Sequence, residues 1–184
     1  ARAVEEQLRV LLDRGFHRIL LSAKSSHVGE TVRANQLLAS RYDFPLHVGI
    51  TEAGPPEEGT IRSSVGLGLL LSQGIGDTLR VSLSAPGVQE VRVGYGILRA
   101  LDLRQRGVRW VSCPTCGRRR IEVARWVERL RPLTKDLPDG FTLAVMGCEV
   151  NGPREAAEAD LGVAGAPGGF VLFRKGRPLG SWPE

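Results

Sequence analysis

The sequence predicts an α/β protein in which three βα units with a parallel sheet precede a small α+β layer. Two observations support this prediction. Up to about residue 103, short apolar runs alternate with longer amphipathic segments, a pattern typical of βα units. Beyond Leu103–Val108 the predicted elements are shorter, and all three cysteines of the chain lie there. We therefore divide the chain into domains 1–105 and 106–184.

The first domain is predicted from hydrophobic periodicity and turn residues. Residues 1–15 have a helical apolar period, and Gly15 is a plausible stop. The further strands and helices are predicted in strict alternation: strands at Arg18–Ala23, Pro45–Ile50 and Thr78–Leu83, and helices at Val28–Arg41, Thr60–Ser72 and Val88–Leu103.

The second domain is predicted to mix short strands with short helices. A break at Pro132 ends the first of these helices. The predicted strands are Val108–Val111, Thr142–Met146 and Gly169–Arg174, and the predicted helices are Ile121–Leu130 and Pro153–Glu158.

Composition narrows the class of protein. At 184 residues and 42% hydrophobic content the chain can bury a core, and it contains no apolar run of transmembrane length and no charged-then-apolar leader. We expect a soluble, cytoplasmic protein without a membrane partner. The net charge of +5 fits a basic solvated surface or an anionic small substrate. Nucleic acid is disfavoured, because aromatics are only 5% and no basic block with interleaved aromatics is present.

The cysteines indicate a metal or redox centre. Cys113 and Cys116 have the spacing of two ligands to one centre, and Cys148 ends an apolar run that would deliver it to a loop. Three thiolates leave a tetrahedral site or a cubane cluster one ligand short, and no histidine is near in sequence. Glu155 is the nearest oxygen donor, and Glu149 is the second candidate.

Several types of centre are compatible with these cysteines. Three soft ligands and one replaceable hard ligand suit a reactive iron–sulfur site. The alternatives are a zinc-stapled binding module, buried thiols, and a simple electron-carrier iron–sulfur domain. Thioredoxin-like CxxC chemistry would leave Cys148 unexplained.

Five motifs in order carry a resemblance to a known family. They are LHVGITEAG, GLGLLLSQGIGDTLRVSL, CPTCGR, MGCEVNGPREAAEADLGVAG and VLFRKG. Together they resemble the 4-hydroxy-3-methylbut-2-enyl diphosphate synthase family from about Ile19 to Arg177. The resemblance implies the last three units of a (β/α)8 TIM barrel followed by an iron–sulfur domain. It also implies that five barrel units and a C-terminal helix are missing, so we expect a fragment with little or no turnover alone.

The resemblance implies a 4Fe–4S cluster held by Cys113, Cys116, Cys148 and Glu155, with Glu155 as the ligand that gives way to substrate. The sequence departs from the family at Arg154, where members usually have Gly, which tolerates backbone angles that Arg does not. Asn151 is implied to reach the substrate. From the residues alone it could equally form a turn with Gly152.

Further site residues are expected where the barrel strands end. Arg80 lies in an otherwise apolar strand, so its charge needs a carboxylate partner or an anion. The resemblance implies that Lys24, Arg80 and Ser82 hold the substrate's diphosphate, and that Glu52 handles a proton or a substrate hydroxyl. Lys24 and Glu52 could also be solvated loop residues. His47 is expected to be a packed strand residue, with contact to the site as the less favoured alternative.

The implied activity is an oxidoreduction in the methylerythritol phosphate pathway of isoprenoid biosynthesis. It opens and dehydroxylates 2-C-methyl-D-erythritol 2,4-cyclodiphosphate reductively to give 4-hydroxy-3-methylbut-2-enyl diphosphate. The resemblance implies ferredoxin or flavodoxin as electron donor, and a homodimer at full length.

Overall fold

The computed structural model describes residues 1–114 and 116–183, so Thr115 of the CxxC motif and Glu184 lie outside the described residues. The chain divides into two compact units, Ala1–Arg104 and Gln105–Glu184. Across the described residues, no helix has both the length and the apolar character needed to cross a bilayer.

The first unit packs four helices around a two-stranded parallel sheet. In the sheet, Gly49 pairs with Arg80. Leu38, Val48 and Leu67 are fully buried in its core. In chain order its elements are α1 (Arg2–Leu12), α2 (Val28–Arg41), β1 (His47–Gly49), α3 (Pro56–Leu71), β2 (Thr78–Arg80) and α4 (Gly87–Ala100).

The strand predicted at Arg18–Ala23 is wrong, because this segment forms only the isolated parallel bridge Leu21–Leu46, one residue before β1 begins. The acceptors that would extend the ladder are already bonded by side chains. Ser22 Oγ donates to the carbonyl of His47 at 3.2 Å, and Asn35 Nδ2 donates to the carbonyl of Ala23 at 2.8 Å. Side-chain hydrogen bonds therefore replace backbone pairing here.

Other predicted boundaries in this unit also differ from the structure: α1, β1 and α4 are each shorter than predicted, and β2 and α3 differ for identifiable reasons. Strand β2 ends at Arg80, before Leu83, because the Leu83 amide donates to the Glu90 carboxylate at 2.7 Å. Helix α3 begins at Pro56, ahead of the predicted Thr60. A proline in the first turn and two following glutamates favour this earlier start.

The second unit is a five-stranded mixed sheet with two short helices. Its elements are β3 (Arg109–Ser112), α5 (Val123–Leu130), β4 (Thr142–Met146), α6 (Gly152–Glu155), β5 (Leu161–Ala166), β6 (Gly169–Arg174) and β7 (Arg177–Pro183). The sheet order is β3-β4-β5-β6-β7; β3, β4 and β5 are parallel, and β6 and β7 are antiparallel additions. A 3₁₀ turn over Arg131–Thr134 follows α5.

Strands β5 and β7 were not predicted, and α6 ends earlier than the predicted Glu158. The sequence of β5, LGVAGA, is rich in Gly and Ala, and that of β7, RPLGSWP, contains two prolines. Both compositions have low intrinsic strand preference, so pairing with neighbouring strands decides the conformation. The α/β class is confirmed at this coarse level.

A charged pair ties the β6–β7 turn to the start of β4. Asp160 accepts a hydrogen bond from Lys175 Nζ at 2.8 Å and another from the Thr142 amide at 2.8 Å. These hydrogen bonds, first that of Lys175 and then that of Thr142, hold the pKa of Asp160 below its ordinary value of 3.8. The ionised carboxylate therefore stabilises the folded state at neutral pH.

We expect Asp160→Asn to lower the free energy of unfolding by about 1 kcal/mol at pH 7, because a charge-assisted hydrogen bond is lost. Since the pKa of Asp160 is depressed on folding, its contribution is present above pH 3.8 and is lost as the pH falls through the folded-state pKa. Urea unfolding at pH 7 and pH 3 measures this, with Asp136→Asn as a control. A difference between wild type and D160N that persists undiminished at pH 3 would contradict it.

Candidate active site

Two neighbouring parallel strands bring the cysteine motifs together. Ser112 of β3 pairs with Val145 of β4, so the residues that follow each strand meet at the same sheet edge. There the Gly147 amide donates a hydrogen bond to Cys113 Sγ at 3.0 Å. Sheet register thus places the CxxC motif beside the loop that carries Cys148.

This edge forms a cavity of about 460 Å³. The three thiols are free: Cys148 is buried, Cys113 is half-buried and Cys116 is exposed. Among the described residues, no three His, Cys, Asp or Glu side chains converge as they would around a single ion. The cavity is lined by Cys113, Pro114, Cys116, Gly117, Arg118, Met146, Gly147, Cys148, Asn151, Gly152 and Glu155.

Helix α6 brings Asn151 and Glu155 to this cavity. Its first residue, Gly152, lies so close to the sheet that a Cβ there would be 2.7 Å from the Met146 Cβ. The Asn151 carbonyl accepts hydrogen bonds from the amides of Arg154 and Glu155, while its side chain makes no capping bond. Arg154 has helical backbone angles, so this position does not require glycine.

The second carboxylate candidate, Glu149, is placed differently. It is absent from the cavity lining, and its Oε2 is buried without a hydrogen-bond partner among the described residues. A buried unpaired acceptor costs free energy. Of the two candidates, Glu155 is therefore the one that the geometry associates with the thiols.

In the first unit, Lys24, His47 and Arg80 cluster on one face of the β1–β2 sheet. Lys24 Nζ donates to Ser22 Oγ, and the Lys24 stem passes close to Gly49, the residue paired with Arg80. His47 Nδ1 lies 2.8 Å from Thr78 Oγ1 of β2. Because strand residues alternate, the intervening Val48 points to the opposite face and is fully buried.

The cluster is positively charged. Burial, and then the charge of Arg80, lowers the pKa of Lys24. The pKa of His47 is lowered by burial and by the charges of Lys24 and Arg80, against a smaller raising effect of a hydrogen bond from the imidazole to the Thr78 backbone. Within the described residues, neither Lys24 nor Arg80 has a carboxylate within ion-pair distance. An anion bound at this face would relieve the repulsion.

Ser82 and Glu52 lie outside this hydrogen-bonded cluster. Ser82 is half-buried and follows β2, two residues after Arg80. Glu52 is exposed in the loop between β1 and α3, with a left-handed φ of +51°. Such backbone angles are unfavourable for a non-glycine residue and concentrate at functional sites.

Ser22 and Thr78 were not among the predicted site residues, and for His47 contact with the site was only the less favoured prediction. The alternation of polar and apolar residues in SAK, LHVGI and TLRVS was the available signal, because it places these side chains on the face of Lys24 and Arg80.

We expect Lys24→Met to raise the pKa of His47, because a nearby positive charge is removed, and Lys24→Arg to leave it close to the wild-type value. An NMR titration of the His47 ring measures both. Because the His47 pKa is depressed on folding, the folded state loses stability as the pH falls through about 6.5. That loss should be smaller in Lys24→Met, and an unchanged His47 pKa would contradict the proposed proximity.

The fold and site define an α/β protein with a cationic sheet face in one unit and a three-thiol cavity in the other. The chain belongs to the GcpE family. The model described as the GcpE TIM-barrel domain matches residues 1–95, and the one described as the GcpE protein C-terminal domain matches residues 109–184. The family resemblance seen in the sequence motifs is confirmed.

Curated relatives agree with this assignment. The chain is 53% identical over 177 residues to a protein of Geobacter sulfurreducens, covering 96% of this chain and 50% of the relative. It is 48% identical over 177 residues to one of Thermodesulfovibrio yellowstonii, covering 96% and 51%. Both relatives are named 4-hydroxy-3-methylbut-2-en-1-yl diphosphate synthase (flavodoxin). The chain thus spans about half the length of the curated relatives it matches.

Proposed function

We propose that this chain contributes the cofactor site and part of the substrate site of a 4-hydroxy-3-methylbut-2-en-1-yl diphosphate synthase. The activity is the two-electron reductive ring opening and dehydroxylation of 2-C-methyl-D-erythritol 2,4-cyclodiphosphate. The observation that carries the proposal is the single cavity that the three free thiols and Glu155 all line. Residues 1–105 would form the last three units of a TIM barrel, and residues 106–184 the iron–sulfur domain.

The donor set fits a 4Fe–4S cluster. Cys113, Cys116 and Cys148 would supply three thiolates, and Glu155 the fourth ligand. The Gly147 amide already donates to Cys113 Sγ, and hydrogen bonds to cluster sulfurs tune the reduction potential. All four side chains line the same cavity, so together they would hold the cluster there. When bound, the cluster supplies single electrons and a Lewis-acidic iron.

The cationic face of the first unit would bind the diphosphate. Arg80 offers a planar fork of donors for phosphate oxygens, and Lys24 adds a point charge. Ser82, just beyond β2, would donate a hydroxyl hydrogen bond. Since the pKa values of Lys24 and His47 are both lowered in the free protein, a bound dianion would raise them, and binding would take up a proton at His47 at a pH between its free and bound pKa values.

Two further residues would act on the rest of the substrate. Glu52 would accept or return a proton at a substrate hydroxyl, a role supported by its exposed position in a strained loop after β1. Asn151, whose side chain does not cap α6, would orient the substrate from the cavity rim by hydrogen bonding. The electron donor would be flavodoxin, as in the names of the relatives, or ferredoxin, and the full-length enzyme would be a homodimer.

Anaerobic reconstitution with iron and sulfide tests the cofactor. We expect a brown protein with broad absorbance at about 400 nm and equal iron and sulfide contents. Glu155→Ala should alter the EPR signal or the lifetime of the reduced cluster, because its fourth ligand is lost. Glu158→Ala, an exposed glutamate three residues on and outside the cavity lining, is the matched control. A colourless protein with one bound zinc would overturn the proposal in favour of a zinc-stapled module.

A further inference from the structure

The segment 118–131, which includes α5, carries most of the chain's net charge. Its six arginines and two glutamates give it a net charge of +4, against +5 for the whole chain. Helix α5 has no fully buried residue. Four arginines of this segment, together with Trp126, line an open cavity of about 290 Å³; they are Arg119, Arg120, Arg125 and Arg129. We refer to these five residues as the arginine face.

The arginine face begins at the cysteine loops. The Arg119 amide donates to the Cys116 carbonyl at 3.2 Å, and the Arg120 amide donates to the Gly147 carbonyl at 2.7 Å. The preceding residue, Arg118, lines the thiol cavity itself. A molecule seated on this face would therefore lie beside the proposed centre.

The charge of the face is largely uncompensated. Arg119 pairs with Glu122 at 2.7 Å. In the part of the chain that the structure describes, Arg120, Arg125 and Arg129 have no carboxylate within ion-pair distance. Such a patch steers acidic partners and raises their association rate.

We infer that the arginine face is the docking surface for an acidic one-electron carrier protein that reduces the centre held by the cysteines. The inference rests on the proposed function, and it adds the place of contact. In each encounter the reduced flavin of the carrier loses one electron and the oxidised cluster gains one, so two encounters supply the two-electron reaction. Flavodoxin, which the names of the relatives contain, belongs to this class of carrier.

Other anionic occupants fit the geometry less well. Single-stranded nucleic acid needs free aromatic faces, but Arg129 lies 5.1 Å from the Trp126 ring centroid, and Phe170 packs edge-on against the same ring. A small phosphate ester needs convergent donors in an enclosed site. Arg125 and Arg129 are instead one helical turn apart on an exposed surface, an arrangement that suits an extended protein surface.

The test compares two double variants with the same loss of charge. R125Q/R129Q removes charge from the arginine face. R174Q/R177Q removes it at the β6–β7 turn, at the other end of β6 from Phe170, which contacts Trp126. Affinity for purified oxidised flavodoxin is titrated with and without the cluster, and oxidation of reduced flavodoxin is followed by stopped-flow absorbance.

We expect R125Q/R129Q to weaken flavodoxin binding and to slow electron transfer by about tenfold at low salt. The difference from wild type should shrink as the salt concentration is raised. R174Q/R177Q should stay within about twofold of wild type, and reduction of the cluster by dithionite should be unchanged in both. Equal effects of the two pairs, or normal flavodoxin binding by R125Q/R129Q, would overturn the inference. The inference would also be overturned if R125Q/R129Q weakened the binding of pyrophosphate or of an oligonucleotide but not that of flavodoxin. Failure to assemble a cluster would instead count against the proposed function, and the affinity titration would still decide the docking surface.

Discussion

Cys148→Ser is expected to abolish stable cluster binding. After anaerobic reconstitution, its iron and sulfide contents should fall to those of protein that was not reconstituted. Cys148 is the buried member of the three free thiols, so solvent or a neighbouring side chain cannot easily replace its sulfur. Serine keeps nearly the same volume but offers a hydroxyl, which is a poor ligand for iron beside the soft thiolate. Metal and sulfide analysis, with the absorbance spectrum, measures the loss.

The same substitution should change folding only modestly, which separates loss of a ligand from loss of structure. A hydroxyl buried without a partner costs about 1–3 kcal/mol. Ser112→Ala, one residue before Cys113, is the matched control and should retain full iron. A Cys148→Ser protein that keeps a stoichiometric cluster would remove Cys148 from the proposed ligand set.

The sequence was enough to predict the thiol cavity because its signal is chemical and local. A CxxC pair and a third cysteine at the end of an apolar run have few structural explanations, and the register of β3 against β4 brings them together as the parallel pattern requires. The roles of the individual ligands remain predictions. Glu155 was preferred to Glu149 by spacing, and the cavity lining agrees with that preference.

The cationic face of the first unit could be predicted only in part. Arg80 was identified because a charge in an apolar strand needs a counterpart, but Ser22 and Thr78 have no such individual signal. Their position depends on which face of each strand meets the helices. The strand predicted at Arg18–Ala23 failed because Ser22 and Asn35 side chains occupy the ladder acceptors, a tertiary detail that periodicity does not contain.

Strand β5 escaped prediction because its composition reflects packing in three dimensions. A Cβ at Gly162 would lie 2.1 Å from the Cζ of Phe173, its partner on β6, so the phenyl ring occupies the space of the missing side chain. Phe173 is completely buried. Gly162 has a low intrinsic preference for a strand, but the Phe173 ring requires glycine there because it leaves no room for a Cβ.

Phe173→Ala is accordingly expected to lower the free energy of unfolding of the second unit by about 3–5 kcal/mol, through lost apolar burial and the cavity left behind. Urea unfolding monitored by tryptophan fluorescence measures this, because Trp110, Trp126 and Trp182 all lie in that unit. Leu179→Ala on β7, where the side chain is 57% exposed, should change stability by no more than about 0.5 kcal/mol.

Gly162→Ala should also be strongly destabilising, but for the opposite reason, because the added methyl overlaps the ring. The two effects should not add. In the double variant Gly162→Ala/Phe173→Leu, a smaller side chain gives back the space that the methyl takes, so stability should exceed that of Gly162→Ala alone. Additive losses in the double variant would show that the Gly162–Phe173 contact does not set the packing.

The Phe173 substitution also tests how the sheet supports the cofactor site. Phe173 belongs to a buried cluster with Ala144, Met146 and Ala164, against which Cys113 packs. The side chains of Met146 and Ala164 also lie directly against Gly152 at the start of α6. Loosening this buried cluster should therefore shorten the lifetime of a reconstituted iron–sulfur cluster, although Phe173 is not itself a proposed ligand. A cluster that decays at the wild-type rate in folded Phe173→Ala protein would show that the cysteine loops hold their geometry without the sheet core.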